Sequence, residues 1–160
     1  MEGRWAEYGK DGRIRQPFSS WSIYAIFCME SNSSAFVKIG ISSIVYDRIL
    51  ALRAGLIFPI GVVLHCAMGN RIVTQEIETK IHQALCKRKT RGEWFKFDLS
   101  NPVDKAEFHM VTKTVTARYS PNPLVWKRIT PEQINAYEAL RIERKAEAKV
   151  SLAQRYRATA

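Results

Sequence analysis

The chain has 160 residues, enough to bury the core of one domain but too few for two well-developed domains. Its hydrophobic fraction of 46% excludes an intrinsically disordered chain. The 25 Lys and Arg residues outnumber the 15 Asp and Glu residues, which gives a formal net charge of +10. A surplus of this size favours a polyanionic partner such as nucleic acid, and charge that serves only solubility is the alternative.

Cysteine usage and hydropathy indicate the cellular compartment in which the protein is expected. Cys28, Cys66 and Cys86 are odd in number and lack CxxC spacing, so neither a disulfide framework nor a zinc site is indicated. A reducing, cytoplasmic location is therefore expected. The N-terminus has no secretion-signal pattern, and the most apolar stretch, 56–68, is too short for a membrane span.

Three strands are predicted in the first half of the chain. Residues 1–20 show no periodicity and are interpreted as a flexible arm. The segments WSIYAIFCM from Trp21 and FVKIGIS from Phe36 are rich in aromatic and β-branched residues, with a polar turn between them. They predict two antiparallel strands, and IGVVLHCAM from Ile60 predicts the third. WFKFD from Trp94 is interpreted as another short extended segment.

Helices are predicted between and after these strands. Apolar residues at helical spacing run from Val45 to Leu52 and, after a turn at Gly69-Asn70, from Val73 to Leu85. These stripes predict one short and one longer amphipathic helix. A third helix is expected to begin at Asn101-Pro102.

The C-terminal part is interpreted as a linker followed by a final helix. Ser120–Pro123 has the composition of a linker, and Thr130–Gln133 resembles a capping box with proline at the first helical position. The capping box predicts a helix that runs to about Arg155. Its basic and acidic residues are interspersed, which favours a solvated helix, with a DNA-contacting extension as the alternative.

A series of functional side chains follows the order of these elements. In chain order they are Tyr24 in S-I-Y, Lys38 in K-I-G, Arg48, Glu78 four residues before His82, and Glu93 in E-W-F. The series resembles the GIY-YIG nuclease superfamily, in particular its branch of T5orf172-like and meiotically up-regulated gene 113-like domains from phages and fungi. The resemblance covers about residues 21–98.

The resemblance implies an α+β fold with a small three-stranded antiparallel sheet flanked by helices, to which this chain adds a C-terminal helix. The expected domains are an N-terminal arm at 1–20, a GIY-YIG-like nuclease domain at 21–98 and a helical extension at 99–160. The resemblance also implies hydrolysis of phosphodiester bonds with one divalent metal, usually Mg²⁺, with Mn²⁺ as a substitute.

The resemblance assigns roles to the motif residues. Tyr24 corresponds to the first motif tyrosine, Arg48 to the motif arginine and Glu78 to the metal-binding glutamate. The chain departs from the family pattern at Ser22, which replaces a glycine, and at Lys38, which replaces the second tyrosine. Lys38 is therefore expected to act as an electrostatic clamp, which leaves Tyr24 as the side-chain base.

The same residue types suit phosphodiester hydrolysis on chemical grounds. The reaction needs a cation, a fixed positive donor and a group that takes a proton from water. Positive charge from Lys38, Arg48 and the metal is expected to hold the pKa of Tyr24 below its ordinary value of about 10. The alternatives are a core tyrosine at position 24 and solvated helix charges at Arg48 and Glu78.

The second helix offers a choice between two carboxylates. Glu76 competes with Glu78 for the metal, but residues two apart point about 200° away from each other around a helix. We choose Glu78 because His82 lies on its face of the helix. His82 is expected to orient that carboxylate or to contact phosphate, and a packing histidine is the alternative.

A basic run follows the second helix. Lys87, Arg88, Lys89 and Arg91 are expected to contact the phosphates of nucleic acid, and the aromatic residues after them are interpreted as core. The sequence thus predicts a divalent-metal-dependent endonuclease that acts on DNA, expected to be double-stranded. A non-catalytic nucleic-acid-binding module on the same fold is the alternative, which Lys38 keeps open. A basic scaffold that binds another protein is the third alternative for the function.

Overall fold

The computed structural model describes residues 7–8, 14–15, 21–119 and 125–158. In chain order the elements are β1 (Glu7–Tyr8), β2 (Ile14–Arg15), β3 (Trp21–Met29), β4 (Ser34–Ser42), α1 (Val45–Arg53), β5 (Ile60–Gly69), α2 (Arg71–Ala84), a 3-10 turn (Cys86–Arg88), β6 (Lys89–Arg91), β7 (Trp94–Asp98), α3 (Pro102–Ala117), β8 (Lys127–Ile129) and α4 (Pro131–Ala158). The linker predicted at Ser120–Pro123 lies outside the described residues, as does most of the arm predicted at 1–20.

Six of the described strands form one antiparallel sheet in the order β6-β7-β4-β3-β5-β8, and β1 pairs with β2 apart from it. The predicted α+β class is confirmed, but the predicted three-stranded sheet is wrong. The hairpin of β6 and β7 lengthens the sheet beside β4, and β8 lengthens it beside β5. β6 and β8 are three residues long and rich in Lys and Arg, so they show no hydrophobic alternation from which to predict them.

Both faces of the sheet are covered by helices, which is why β3 is buried along nearly its whole length. Ile23, Ala25 and Phe27 point to the face covered by α2 and α3. The alternating residues Tyr24 and Ile26 point to the opposite face, covered by α1 and α4. Because side chains of a strand alternate between faces, a strand with helices on both sides is apolar throughout.

Residues after 98 contribute to the same core as the strands. Phe108 of α3 makes edge-on ring contacts with Phe27 and Phe97, with centroids 5.2 and 5.7 Å apart. At the start of α3, the Asp104 carboxylate accepts a hydrogen bond of 2.8 Å from the backbone N–H of Asp98. No described helix is long and apolar enough to cross a membrane.

Local capping residues fix where α2, α3 and α4 begin. Asn70 accepts a hydrogen bond from Val73 N at the start of α2, and Asn101 does the same for Val103 N at the start of α3. At α4 the predicted capping box is confirmed, because Thr130 N donates to the Gln133 side chain and Gln133 N donates to Thr130 Oγ1. These helix starts were therefore predictable from local sequence.

Candidate active site

Tyr24 lies at the centre of β3 with its ring over Gly40 of β4. The two residues are direct partners across the strands. A Cβ atom at position 40 would lie 2.5 Å from the Tyr24 hydroxyl and 2.8 Å from Cζ, closer than atoms can pack. Glycine in the K-I-G motif therefore leaves room for the tyrosine ring. Tyr24 itself is 1% exposed.

Arg48 of α1 connects this buried tyrosine to the surface. Its Nε donates a hydrogen bond of 3.2 Å to the Tyr24 hydroxyl oxygen, and the arginine side chain is exposed. Burial raises the pKa of Tyr24 above its ordinary value of 10, and the hydrogen bond from Arg48 offsets this only in part. Arg48 alone therefore does not give the expected lowering of this pKa, because the cost of burying a phenolate exceeds the benefit of this one cation.

Lys38 points to the same face of the sheet as Tyr24 and is paired with Glu93. Its Nζ donates a hydrogen bond of 2.5 Å to Glu93 Oε2 and lies 5.6 Å from the ring centroid of Trp94. Partial burial disfavours ionisation of Glu93, but the hydrogen bond and charge of Lys38 lower its pKa on balance. The ammonium expected to act as a clamp is thus largely neutralised within the protein.

Glu93 is the site residue to which sequence reasoning assigned no role. It stands 55 positions after Lys38, and the pairing depends on β7 lying beside β4. The signal that could have found it was the E-W-F motif, in which a carboxylate directly precedes a strand that pairs next to K-I-G. A buried lysine needs a nearby counter-charge, and Glu93 was the acid in the motif series without a role.

Glu78 of α2 is half-buried beside these charges. Burial raises its pKa to about 7, and the negative charge of Glu93 adds to this increase, while Lys38 and Arg48 oppose it. The competing carboxylate of Glu76 instead accepts a hydrogen bond of 2.8 Å from the Tyr119 hydroxyl, at an exposed position. The structure thus places Glu78, and not Glu76, in the charge cluster with Lys38 and Arg48.

The end of β7 allows side chains from α2 to reach this cluster. β7 pairs with β4 only as far as Lys38 opposite Trp94, so the edge of β4 beyond that point has no neighbouring strand within the described residues. His82 bonds to the first residue of this unpaired edge: its Nε2 donates a hydrogen bond of 3.0 Å to the backbone oxygen of Ile39. Its ring lies 5.1 Å from that of Phe95, and burial lowers its pKa. This geometry fits the packing alternative for His82.

The basic run divides into two kinds of residue. Arg88 makes two hydrogen bonds of 2.7 Å with the Asp104 carboxylate, and its Nε donates to Glu107. The charge of Arg88 is thereby paired with two carboxylates of the protein itself. Lys87, Lys89 and Arg91 are exposed around β6, directly before Glu93, and carry the positive surface next to the cluster.

The carboxylates of Glu78 and Glu93 are the donors that a divalent cation would meet in this cluster. A half-buried carboxyl group whose pKa is raised by burial and by a second carboxylate gains stability as an anion when a cation binds beside it. Mg²⁺ takes oxygen ligands and keeps several of its waters, so one or two carboxylates are sufficient. The described residues contain no group of three or more His, Cys, Asp or Glu residues that could hold a metal.

The fold and this cluster define an α+β protein with a mixed carboxylate, arginine and tyrosine site beside a basic surface. The family model for the T5orf172 domain matches residues 22–115, which is more than half of the chain. The chain therefore belongs to the T5orf172 domain family, a nuclease-like, DNA-binding family. The match includes the whole cluster and ends within α3. No curated protein and no solved structure matches the chain.

Proposed function

We propose that this protein is a divalent-metal-dependent endonuclease that hydrolyses phosphodiester bonds in DNA, with a GIY-YIG-like active site. The observation that carries the proposal is the convergence of Glu78, Arg48 and Lys38 from three different elements. Burial and the nearby Glu93 carboxylate raise the pKa of Glu78, and the positive charges of Lys38 and Arg48 oppose that increase. A cluster of perturbed, partly buried charges at a family motif is typical of a catalytic site.

Arg48 is the group best placed to bind the scissile phosphate. It is exposed, and its hydrogen bond with Tyr24 leaves the remaining N–H groups of the guanidinium available to phosphoryl oxygens. Negative charge that develops on those oxygens is stabilised by a fixed donor. Tyr24 acts by holding this guanidinium in place, because its own hydroxyl is buried and its pKa is raised.

Glu78, with Glu93 nearby, would hold Mg²⁺ or Mn²⁺. When bound, the cation supplies positive charge at the phosphoryl oxygens and lowers the pKa of its water. Glu78 contributes the carboxylate, and Glu93 keeps the charge of Lys38 balanced at the edge of the site. Lys87, Lys89 and Arg91 would position the nucleic-acid backbone on the surface beside it.

The direct test is incubation of the purified protein with plasmid DNA and with single-stranded RNA in Mg²⁺, Mn²⁺ or EDTA. We expect cleavage of DNA that requires metal and is lost in Glu78→Ala. Glu76→Ala is the matched control, since it removes an exposed carboxylate from the same helix and should retain activity. Full activity of Glu78→Ala, or cleavage in EDTA, would contradict the proposal.

A non-catalytic DNA-binding module is the second candidate. The observation in its favour is that Tyr24 is buried with a raised pKa and that the charge of Lys38 is paired with Glu93. This leaves neither Tyr24 nor Lys38 suited to accept a proton from water. Salt-sensitive DNA binding without cleavage in either metal would favour this candidate.

A further inference from the structure

A concave surface opens directly beside the Lys38–Glu93 pair. It encloses about 800 Å³, a size typical of small-molecule sites. Phe36, Phe58 and Trp94 supply aromatic walls, and Ile57 lies at the rim. The other side of the pocket is polar, with Thr90 and Arg91 next to Lys38 and Glu93. The pocket therefore combines aromatic walls, hydrogen-bonding groups and positive charge.

We propose that this pocket receives one unstacked nucleobase of the substrate, next to the phosphate bound at the active site. The inference rests on the proposed function and deepens it by naming a substrate class. It makes the protein selective for DNA that contains unpaired nucleotides over continuous duplex. A base inside a duplex presents only its edges in the grooves, whereas a base in a pocket must leave the stack.

The aromatic residues suit a base because every base has a flat π-face. The rings of Phe36 and Phe58 are stacked on one another, with an interplanar angle of 2° and centroids 5.7 Å apart, so a base would extend an existing aromatic stack. Stacking of this kind is tolerant of sequence and strengthens binding at least about fivefold per base. Arg91 at the polar side complements a phosphate next to that base, whereas the charge of Lys38 is paired with Glu93.

Ile57 is the highly exposed apolar residue at the rim of this pocket. Its side chain is 91% exposed, so this large aliphatic group contributes nothing to the hydrophobic core. Apolar side chains in such positions can act as wedges that separate adjacent bases. Ile72, at the start of α2, is 80% exposed and does not line the pocket, so it provides a matched control.

The test compares two fluorescently labelled DNA duplexes of equal sequence, one continuous and one with three extra unpaired nucleotides in one strand. Dissociation constants are measured in EDTA, so that the result does not depend on catalysis. We expect the parent protein to bind the bulged duplex at least about fivefold more tightly. Ile57→Ser should reduce that ratio at least threefold, toward about one, whereas Ile72→Ser should leave it unchanged.

A second measurement places 2-aminopurine at the unpaired position, where its emission reports the loss of base stacking. We expect a change in emission with the parent protein and with Ile72→Ser, and a much smaller one with Ile57→Ser. Equal binding of both duplexes by the parent protein would overturn the inference, as would an unchanged ratio in Ile57→Ser. Failure of DNA cleavage in Mg²⁺ would overturn the proposed function and leave these ratios intact.

Discussion

At the scale of single residues, Glu78 couples protonation to the stability of the protein. Its folded pKa, about 7, lies above the ordinary value of 4.5. The proton is therefore held more tightly in the folded state, so the stabilisation is complete below about pH 4.5 and is lost as pH rises through 7. Above that pH, a charged and half-buried Glu78 opposes folding unless a cation accompanies it.

This coupling predicts the behaviour of Glu78→Gln in EDTA. We expect the Tm of the parent protein to fall relative to that of Glu78→Gln as pH is raised from about 5 to about 8. At the higher pH, Mg²⁺ should raise the Tm of the parent protein and not that of the variant. Thermal unfolding followed by circular dichroism measures both effects. Parallel Tm curves in EDTA would contradict the raised pKa.

Arg48 and Tyr24 are expected to act as one unit in catalysis. Arg48→Ala should lower kcat by about 10²–10³, as removal of a charge-stabilising donor typically does. Tyr24→Phe should lower kcat less and leave the shape of the pH–rate profile unchanged, because Tyr24 positions Arg48 and does not take the proton. Adding Tyr24→Phe to Arg48→Ala should have little further effect.

Arg53→Ala is the control for this comparison. Arg53 is exposed on the same helix, where it pairs with Glu138, and its loss should leave kcat nearly unchanged. Additive losses in the double variant, or an alkaline limb of the profile that disappears in Tyr24→Phe, would restore the assignment of Tyr24 as the base.

The individual site residues were largely predictable, but their partners were not. Tyr24, Lys38, Arg48 and Glu78 carry motif signals in the sequence, and the structure brings them together. The pairing of Lys38 with Glu93 and the burial of Tyr24 depend on which strands become neighbours. That information is tertiary, because the contacts join positions far apart in the chain.

At the scale of secondary-structure elements, β6 and the turn before it form the expected DNA-contacting surface. Replacing Lys87, Lys89 and Arg91 together by Ala should reduce the slope of log Kd against log salt concentration by about three on duplex DNA. Each phosphate contact contributes about 0.9 to that slope. Fluorescence anisotropy over a range of salt concentrations measures it.

A triple variant of α3 and the residue directly after it provides the matched control for β6. Lys105, Lys113 and Arg118 are exposed, and their replacement by Ala removes the same charge from another surface. We expect a much smaller change of slope from this variant. If both variants changed the slope equally, DNA binding would follow total charge and not the position of β6.

Local sequence determined the elements that have strong local signals. Asn70, Asn101 and Thr130 cap their helices because their side chains reach backbone N–H groups a few residues away. β6 and β8 have no such signal. Backbone hydrogen bonds to the neighbouring strands hold β6 and β8 in place. Because such bonds do not depend on the side chains, the residues of these two strands show no pattern from which the strands could be predicted.

At the scale of the whole molecule, α3 should be necessary for the stability of the sheet. Phe108→Ala removes a ring packed between Phe27 and Phe97 and should cost about 3–5 kcal/mol in the free energy of unfolding. His109→Ala, at the next and exposed position, should cost far less. Urea denaturation measures both values. A loss below about 1 kcal/mol for Phe108→Ala would favour an independent extension after residue 98.

The two outer strands of the six-stranded sheet bear on whether molecules of this protein can associate edge to edge. β6 and β8 are short and carry Lys89, Arg91, Lys127 and Arg128, which are all exposed. Short, positively charged edges repel the edge of a second molecule and so prevent sheets from joining into aggregates. The charges of β6 would then both contact DNA and protect this edge of the sheet. Variants that neutralise an edge should therefore be compared at matched solubility, because precipitation would imitate a loss of DNA affinity.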